Sequence, residues 1–408
     1  MKGATVADLH IRGRIDGFDG LRAIATLVVV FVHMQLLNKV GWVAVQEFFL
    51  MSGFLISRVL LDLKTRFGVG RFFAEFLTFR VLRIFPAYFA YVIIVALGAS
   101  LFSPELWAQM SGQLKYLGTF TFNFAWLWDP QFRSPWAAHL WSLSVEEQFY
   151  LIWPWVILFT PVHRLKAVLL AIACAGPFLR GAVLWWANRH GAEHGMEPGA
   201  IVYLVTPSYL DVFAMGALLC FNDVRKFLAS IPNPAYVALI LGAIALGIVA
   251  NGIAHGFDRS IFASLGYPVL LPNAYQALWG YSVVTLLMMI LLAKVTEQGF
   301  GKRLFTLPLF DRVGKVAYSM YCWHHGLILL VGTLPAAWLV SHLHVSPYVA
   351  TLIWAPLYFV VLYLVSNAAY EWVEQPPMKI RRKLFGGRTT AETTAKADAA
   401  AKPRMGSA

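Results

Sequence analysis

The sequence predicts an all-α protein of the membrane, a polytopic bundle of about ten transmembrane helices with both termini cytoplasmic. Three observations carry this prediction. Hydrophobic residues make up 59% of the 408 and charged ones only 13%, against about 45–50% and 25% in ordinary soluble domains. Apolar runs of about 18 or more residues, long enough to cross a bilayer, recur along most of the chain. They are continuous rather than alternating, which excludes a β-barrel.

The runs define spans at about 20–37, 43–62, 84–102, 145–160, 165–187, 203–221, 235–254, 273–293, 314–334 and 348–370. An even number puts both termini on one side, and charge bias tests the count. With the N-terminus cytoplasmic, 27 of the 33 Lys and Arg fall in inside segments. The other six are Lys39, Lys115, Arg133, Arg180, Arg189 and Arg259. The segment before the first span, MKGATVADLHIRGRIDGFDG, is too polar for a secretory signal, and no small-residue cleavage site follows the first apolar run. The first helix is therefore expected to stay in the membrane.

Between the spans, residues 63–83 mix Arg with Phe and are expected to lie in the membrane interface as an amphipathic segment. The outside segment 103–144 carries Trp107, Trp126, Trp128, Trp136 and Trp141, which fits an aromatic belt or a wall on which sugars stack. Residues 1–383 form one membrane domain in this reading. The remainder, 384–408, is poor in large apolar residues and is expected to be a disordered cytoplasmic tail. No internal repeat is evident.

The net charge of +12 follows from inside-positive loops, and no basic stripe with a readable motif points to nucleic acid. Cys174, Cys220 and Cys322 sit singly inside apolar segments, with neither a disulfide framework nor metal-ligand spacing. They are expected to be buried and structural.

Within this apolar background the first span carries two ionisable groups, Arg22 and His33. They are eleven residues apart, which on a helix is about 1100°, or three turns plus about 20°. Both therefore project from one face, about 16 Å apart along the axis. Arg22 is expected near a membrane edge and His33 deep inside. An Arg at the centre of a bilayer costs about 2.5–3.5 kcal/mol on insertion scales, so ionisable groups there mark function by default. Arg22 also fits a topology signal that snorkels to the edge. A mid-span imidazole needs a partner or a wet cavity, and neutral His can take a proton from a hydroxyl.

Six motifs extend the pattern in order. FDGLRAIA leads into the helix that holds Arg22 and His33, and EFFLMSGFLIS (47–57) and FRVLRIFPAY (79–88) follow. WSLSVEEQFYLIWP (141–154), VAYSMYCWHHGL (316–327) and YEWVEQP (370–376) complete the series. Together they resemble the membrane acyltransferase-3 family, the OafA-like O-acyltransferases. The chain departs from the family pattern at Ala44, Glu47 and Gly326, where Gly, an apolar residue and Pro are usual.

The resemblance implies that His33 is the catalytic base and Arg22 its paired essential residue. It selects Glu146 over Glu147; neighbours on a helix differ by about 100°, so only one can fully face the bundle interior. A carboxylate there would orient or charge-couple a histidine. Arg80 and Arg83 are candidates for donor phosphates, which Arg contacts bidentately; an inside-positive loop explains them equally. His324, rather than His325, matches the late His of the family and is a second polar site candidate. Glu374 fits a structural partner for an Arg such as Arg80 or Arg83. Ser52 and Gly53 lie mid-helix, where small residues allow close packing. Ser52 as an acylated nucleophile is the second reading, without an adjacent base in the sequence.

What the resemblance implies is an O-acyltransferase of the inner (cytoplasmic) membrane. It would move an acyl group, acetyl first, from cytoplasmic acyl-CoA to a hydroxyl of a glycan, lipid-linked saccharide or smaller acceptor. Acyl-CoA would be a donor substrate, with no metal and no permanently bound cofactor. A homo-oligomer or the machinery of envelope-glycan synthesis are the expected protein partners. A transporter or flippase of an acyl or glycolipid species is the alternative, since ionisable groups facing a cavity suit that too.

Overall fold

The structure, a computed structural model, describes residue 15 and residues 17–37, 40–128, 134–191, 195–268 and 276–380. The tail 384–408, Lys39 and Arg133 lie outside the described residues. The described residues are mostly helical and include no strand. Their helices are α1 (Phe18–His33), α2 (Trp42–Arg66), α3 (Val69–Phe102), α4 (Pro104–Gly118), α5 (Phe122–Trp128), α6 (Trp141–Phe159), α7 (Val162–His190), α8 (Pro198–Leu204) and α9 (Leu210–Leu218). They continue with α10 (Asn222–Ser230), α11 (Asn233–His255), α12 (Arg259–Ala263), α13 (Gln276–Gln298), α14 (Lys302–Phe305), α15 (Pro308–Lys315), α16 (Ala317–Leu327), α17 (Thr333–Leu343) and α18 (Pro347–Ala369).

Among the described residues, seven helical runs are long and apolar enough to cross a membrane: α2, α3, α7, α11, α13, Ala317–Leu343 and Pro347–Ile380. An eighth arises if α8 and Thr206–Leu218, bent by 72°, form one broken span. The bend has a local cause. Val205 is extended (φ −95°, ψ 139°), and Pro207 lacks the N–H that would carry the helix across. The other two predicted spans do not meet the test. α1 has only 16 residues, and α6 places Glu146, Glu147 and Gln148 in the first half of its 19.

Other boundaries differ for physical reasons. Residues 69–83 are not a separate interfacial segment but the first half of α3, which runs for 34 residues through Pro86. The described part of the segment 103–144 includes α4 and α5, with Ser103 capping α4 by accepting a hydrogen bond from the Leu106 N–H. Trp141 is buried while Trp107 is exposed. Of the three thiols, Cys220 and Cys322 are buried as expected, but Cys174 is exposed on α7.

Helix α2 packs closely against α9. A Cβ on Gly53 would stand 2.2 Å from the Phe213 carbonyl oxygen, and one on Gly216 would stand 2.1 Å from that of Leu50. The backbones therefore touch because both helices present glycine there. Behind α9, the fully buried Arg180 of α7 donates to Asp211 Oδ1 at 2.7 Å, to the Ser208 carbonyl at 2.8 Å and to Ser282 Oγ at 2.6 Å. The predicted fifth span, 165–187, contains Arg180, one of the six cations outside the inside segments; its partners Asp211 and Ser282 lie on α9 and α13. At the start of α1, Gly20 and Gly314 allow a similarly close fit to the Phe305 and Asp19 carbonyls. That fit fixes the Arg22 end of α1 against α14 and α15.

Candidate active site

A cavity of about 770 Å³ opens between α1, α2, α3, α6, α16 and the C-terminal helix. Arg22, Arg58, Arg80, Arg83 and Lys315 line it, with Asp19, Glu146 and Glu374 as the carboxylates. Five cations against three anions leave a predominantly positive wall. Arg22 Nη1 donates to Asp19 Oδ1 at 3.2 Å, one turn earlier on α1. The Arg80 guanidinium lies over the Tyr150 ring at 3.8 Å, where its flat, delocalised plane can stack as an ammonium cannot.

Six of the residues singled out in the sequence thus meet in one chamber: Arg22, Ser52, Arg80, Arg83, Glu146 and Glu374. Ser52 and its neighbour Gly53 divide the two readings of their motif. Gly53 serves packing, while Ser52 faces the cavity and donates a hydrogen bond to Glu146 Oε1 at 2.7 Å. The Tyr150 hydroxyl approaches Ser52 Oγ at 3.5 Å. Glu146 is the cavity carboxylate of its pair, for Glu147 is absent from the wall. Its partner is a serine with arginines close by, not the histidine expected from the sequence. Glu374 arrives on a π-helical turn, Tyr370–Glu374, that ends α18, and it hydrogen bonds with Ser319 of α16. Such turns are frequent at functional sites.

His33 and His324 are outside this wall and form a second cluster. His33 is the last residue of α1, half-buried, rather than a mid-helix residue. Its Nδ1 lies 3.0 Å from the Val29 carbonyl and 3.1 Å from His324 Nε2. His324 Nδ1 in turn lies 2.7 Å from the Tyr321 carbonyl. Carbonyl oxygens only accept, so the hydrogen is assigned to Nδ1 of both rings and the lone pair of His33 is left on Nε2. His139 and His325, which the sequence reading does not select, complete the cluster. Their ring centres are 4.9 and 5.9 Å from that of His324. His139 donates from Nε2 to the Cys322 carbonyl at 3.0 Å, and its buried Nδ1 has no hydrogen-bond partner. Among the described residues no group of three or more His, Cys, Asp or Glu is arranged to hold a metal ion.

Tyr321 joins the two regions. Its ring lines the cavity, its hydroxyl donates to the His139 carbonyl at 2.7 Å and hydrogen bonds with Ser142, and its own carbonyl holds His324. Tyr321, Ser142, Arg58 and Lys315 also escape the sequence reading. Each belongs to a motif noted there, or sits one residue from one, but only the fold shows which way each points.

This is a multi-pass membrane protein with a polar, mainly cationic chamber inside its helical bundle and an imidazole cluster beside it. The chain belongs to the acyltransferase-3 family, whose model, an acyltransferase domain, matches residues 15–371. It is 25% identical over 382 residues to the peptidoglycan O-acetyltransferase OatA of Listeria monocytogenes, covering 91% of this chain and 57% of that protein. It is 26% identical to the O-acetyltransferase OatA of Staphylococcus aureus, over 91% of this chain and 58% of that one. The chain thus spans a little over half the length of these relatives. No solved structure matches it.

Proposed function

We propose that the protein is an O-acetyltransferase of the cytoplasmic membrane that transfers acetyl from acyl-CoA to a glycan hydroxyl. The observation that carries this reading is one helix, α1, with Arg22 in the cationic chamber at one end and the His33–His324 pair at the other. A chamber of about 770 Å³ is within the roughly 300–1,000 Å³ usual for small-molecule sites. Arg80 and Arg83 suit the phosphates of coenzyme A, with Arg22 nearer the thioester. Both termini are cytoplasmic in this reading, so the donor enters from inside.

His33 acts as general base through Nε2 on the acceptor hydroxyl. Across the whole transfer, the acceptor oxygen gains the acyl group as the new ester, the thioester C–S bond is broken and coenzyme A leaves as the thiol. His324 holds His33 in the tautomer that keeps Nε2 free for the proton. The names of the relatives favour a cell-wall glycan as acceptor.

The test compares O-acetyl esters on surface glycans of cells lacking the gene with cells restored by wild type or by His33→Ala, at equal membrane levels. Esters should return with wild type only. Full restoration by His33→Ala would remove the base assignment, and transport of an acyl species without ester formation would favour a flippase.

A further inference from the structure

We infer that Ser52 is an acyl-accepting nucleophile in the donor chamber, with Glu146 as its base. This rests on the acyl-CoA reading above and divides the transfer into two steps. Ser52 lies on α2 and Glu146 on α6, 94 positions apart in sequence, yet the hydroxyl donates to the carboxylate at 2.7 Å. A nucleophile within hydrogen-bond reach of a base is the arrangement covalent catalysis requires. A serine inside a helix can satisfy its hydroxyl on a carbonyl one turn back. Ser52 instead donates its hydrogen to a carboxylate of another helix, inside the chamber.

Three further observations point the same way. Gly53, the next residue, fixes α2 on the backbone of α9, which holds the Ser52 position on the cavity side of the helix. Arg80 and Arg22 line the same cavity as Ser52 and Glu146, which supplies guanidinium groups for the oxyanion of a tetrahedral intermediate. His33, by contrast, is not on the chamber wall, and Tyr321 with Ser142 stands between the chamber and the histidines. A thioester bound beside Arg22 therefore meets Ser52 before it meets His33.

The first step forms the bond from Ser52 Oγ to the acyl carbon and breaks the thioester C–S bond. Glu146 takes the serine proton and delivers it to the departing sulfur, releasing coenzyme A as the thiol. In the second step the acceptor oxygen attacks the Ser52 ester and the Oγ–C bond breaks. His33 takes the acceptor's proton as the new bond forms, and that proton ends on Oγ. Nothing is oxidised or reduced, and the chain is regenerated.

The experiment uses the full chain in lipid nanodiscs with isotopically labelled acetyl-CoA and no acceptor, reading both thiol release and the labelled peptide by mass spectrometry. About one equivalent of thiol per chain should appear, with acetyl on the peptide containing Ser52 and removable by hydroxylamine. Glu146→Gln should slow that acylation about 10²–10⁴-fold, and Ser52→Cys should carry the label as a thioester. His33→Ala should still acylate Ser52, because its role falls in the second step. Label on another residue or on none, transfer to acceptor by Ser52→Ala at the wild-type rate, or loss of acylation in His33→Ala would each overturn the Ser52–Glu146 assignment while leaving the donor reading intact. Failure of wild type to bind or consume acetyl-CoA would refute the donor reading, and the assignment with it.

Discussion

Arg180 offers the clearest quantitative test of how this bundle is held together. Its guanidinium makes four hydrogen bonds, to the Leu278 and Ser208 carbonyls, Asp211 Oδ1 and Ser282 Oγ. Asp211 accepts the bond from Arg180 and one more from Ser282 at 2.7 Å. Both side chains of the ion pair are 0% exposed. Arg180→Met keeps most of the volume but leaves Asp211 with one neutral donor in an apolar interior. Removing one member of a buried ion pair costs about 3–5 kcal/mol, or about two to nearly four powers of ten in the folded ratio at about 1.4 kcal/mol per tenfold. The cost should fall on the α7–α9–α13 side, and α9 is what supports α2 behind Ser52. Asp211→Asn in the Arg180→Met background removes the stranded charge in the same shape, so the double variant should regain a good part of the loss. The assay is reversible unfolding in mixed micelles of wild type, the two single variants and the double variant at equal concentration. The reasoning fails if Arg180→Met loses less than about 1 kcal/mol against the expected cost of a stranded charge, or if the double variant is no more stable than Arg180→Met alone.

Three other outcomes follow from the chamber and its supports. Arg22→Lys keeps the charge but loses the planar fork beside Asp19. At about 1.5–3 kcal/mol for one charge-assisted hydrogen bond, transfer should fall roughly 10–150-fold; near-normal turnover would leave Arg22 only a topology role. Glu146→Gln should depress acetyl transfer far more than Glu147→Gln, since only Glu146 lines the cavity, and the opposite order in a membrane assay would refute the choice of helix face. Gly53→Ala puts a methyl 2.2 Å from a backbone oxygen that cannot rotate away. It should cost about 1–3 kcal/mol, seen as a lower unfolding midpoint; unchanged stability would mean that α2 and α9 separate easily.

The parts of this protein legible in the sequence are those written in contiguous residues. Long apolar runs indicate the helical class, because a bilayer leaves few other ways to satisfy the backbone. Motif order indicates the family and gathers six residues that the fold does bring into one chamber. Pairings are not legible, since they depend on helix rotation and crossing rather than on spacing along the chain. Ser52 shows this most plainly: its hydrogen-bonded carboxylate is 94 residues away, invisible beside a glycine that explains the motif well enough by packing. Arg180 is left over in the charge count, because charge bias assigns residues by segment and cannot see Asp211 across the bundle. Chemistry alone matches Glu146 to a histidine, yet a carboxylate on α6 meets α2 first. In α1, helical periodicity places Arg22 and His33 on one face, but the helix stops at His33. The imidazole therefore meets α16 at a helix end, where His139, His324 and His325 complete a cluster separate from the chamber that holds Arg22. The spacing of two residues on one helix can connect two sites without making them a single site.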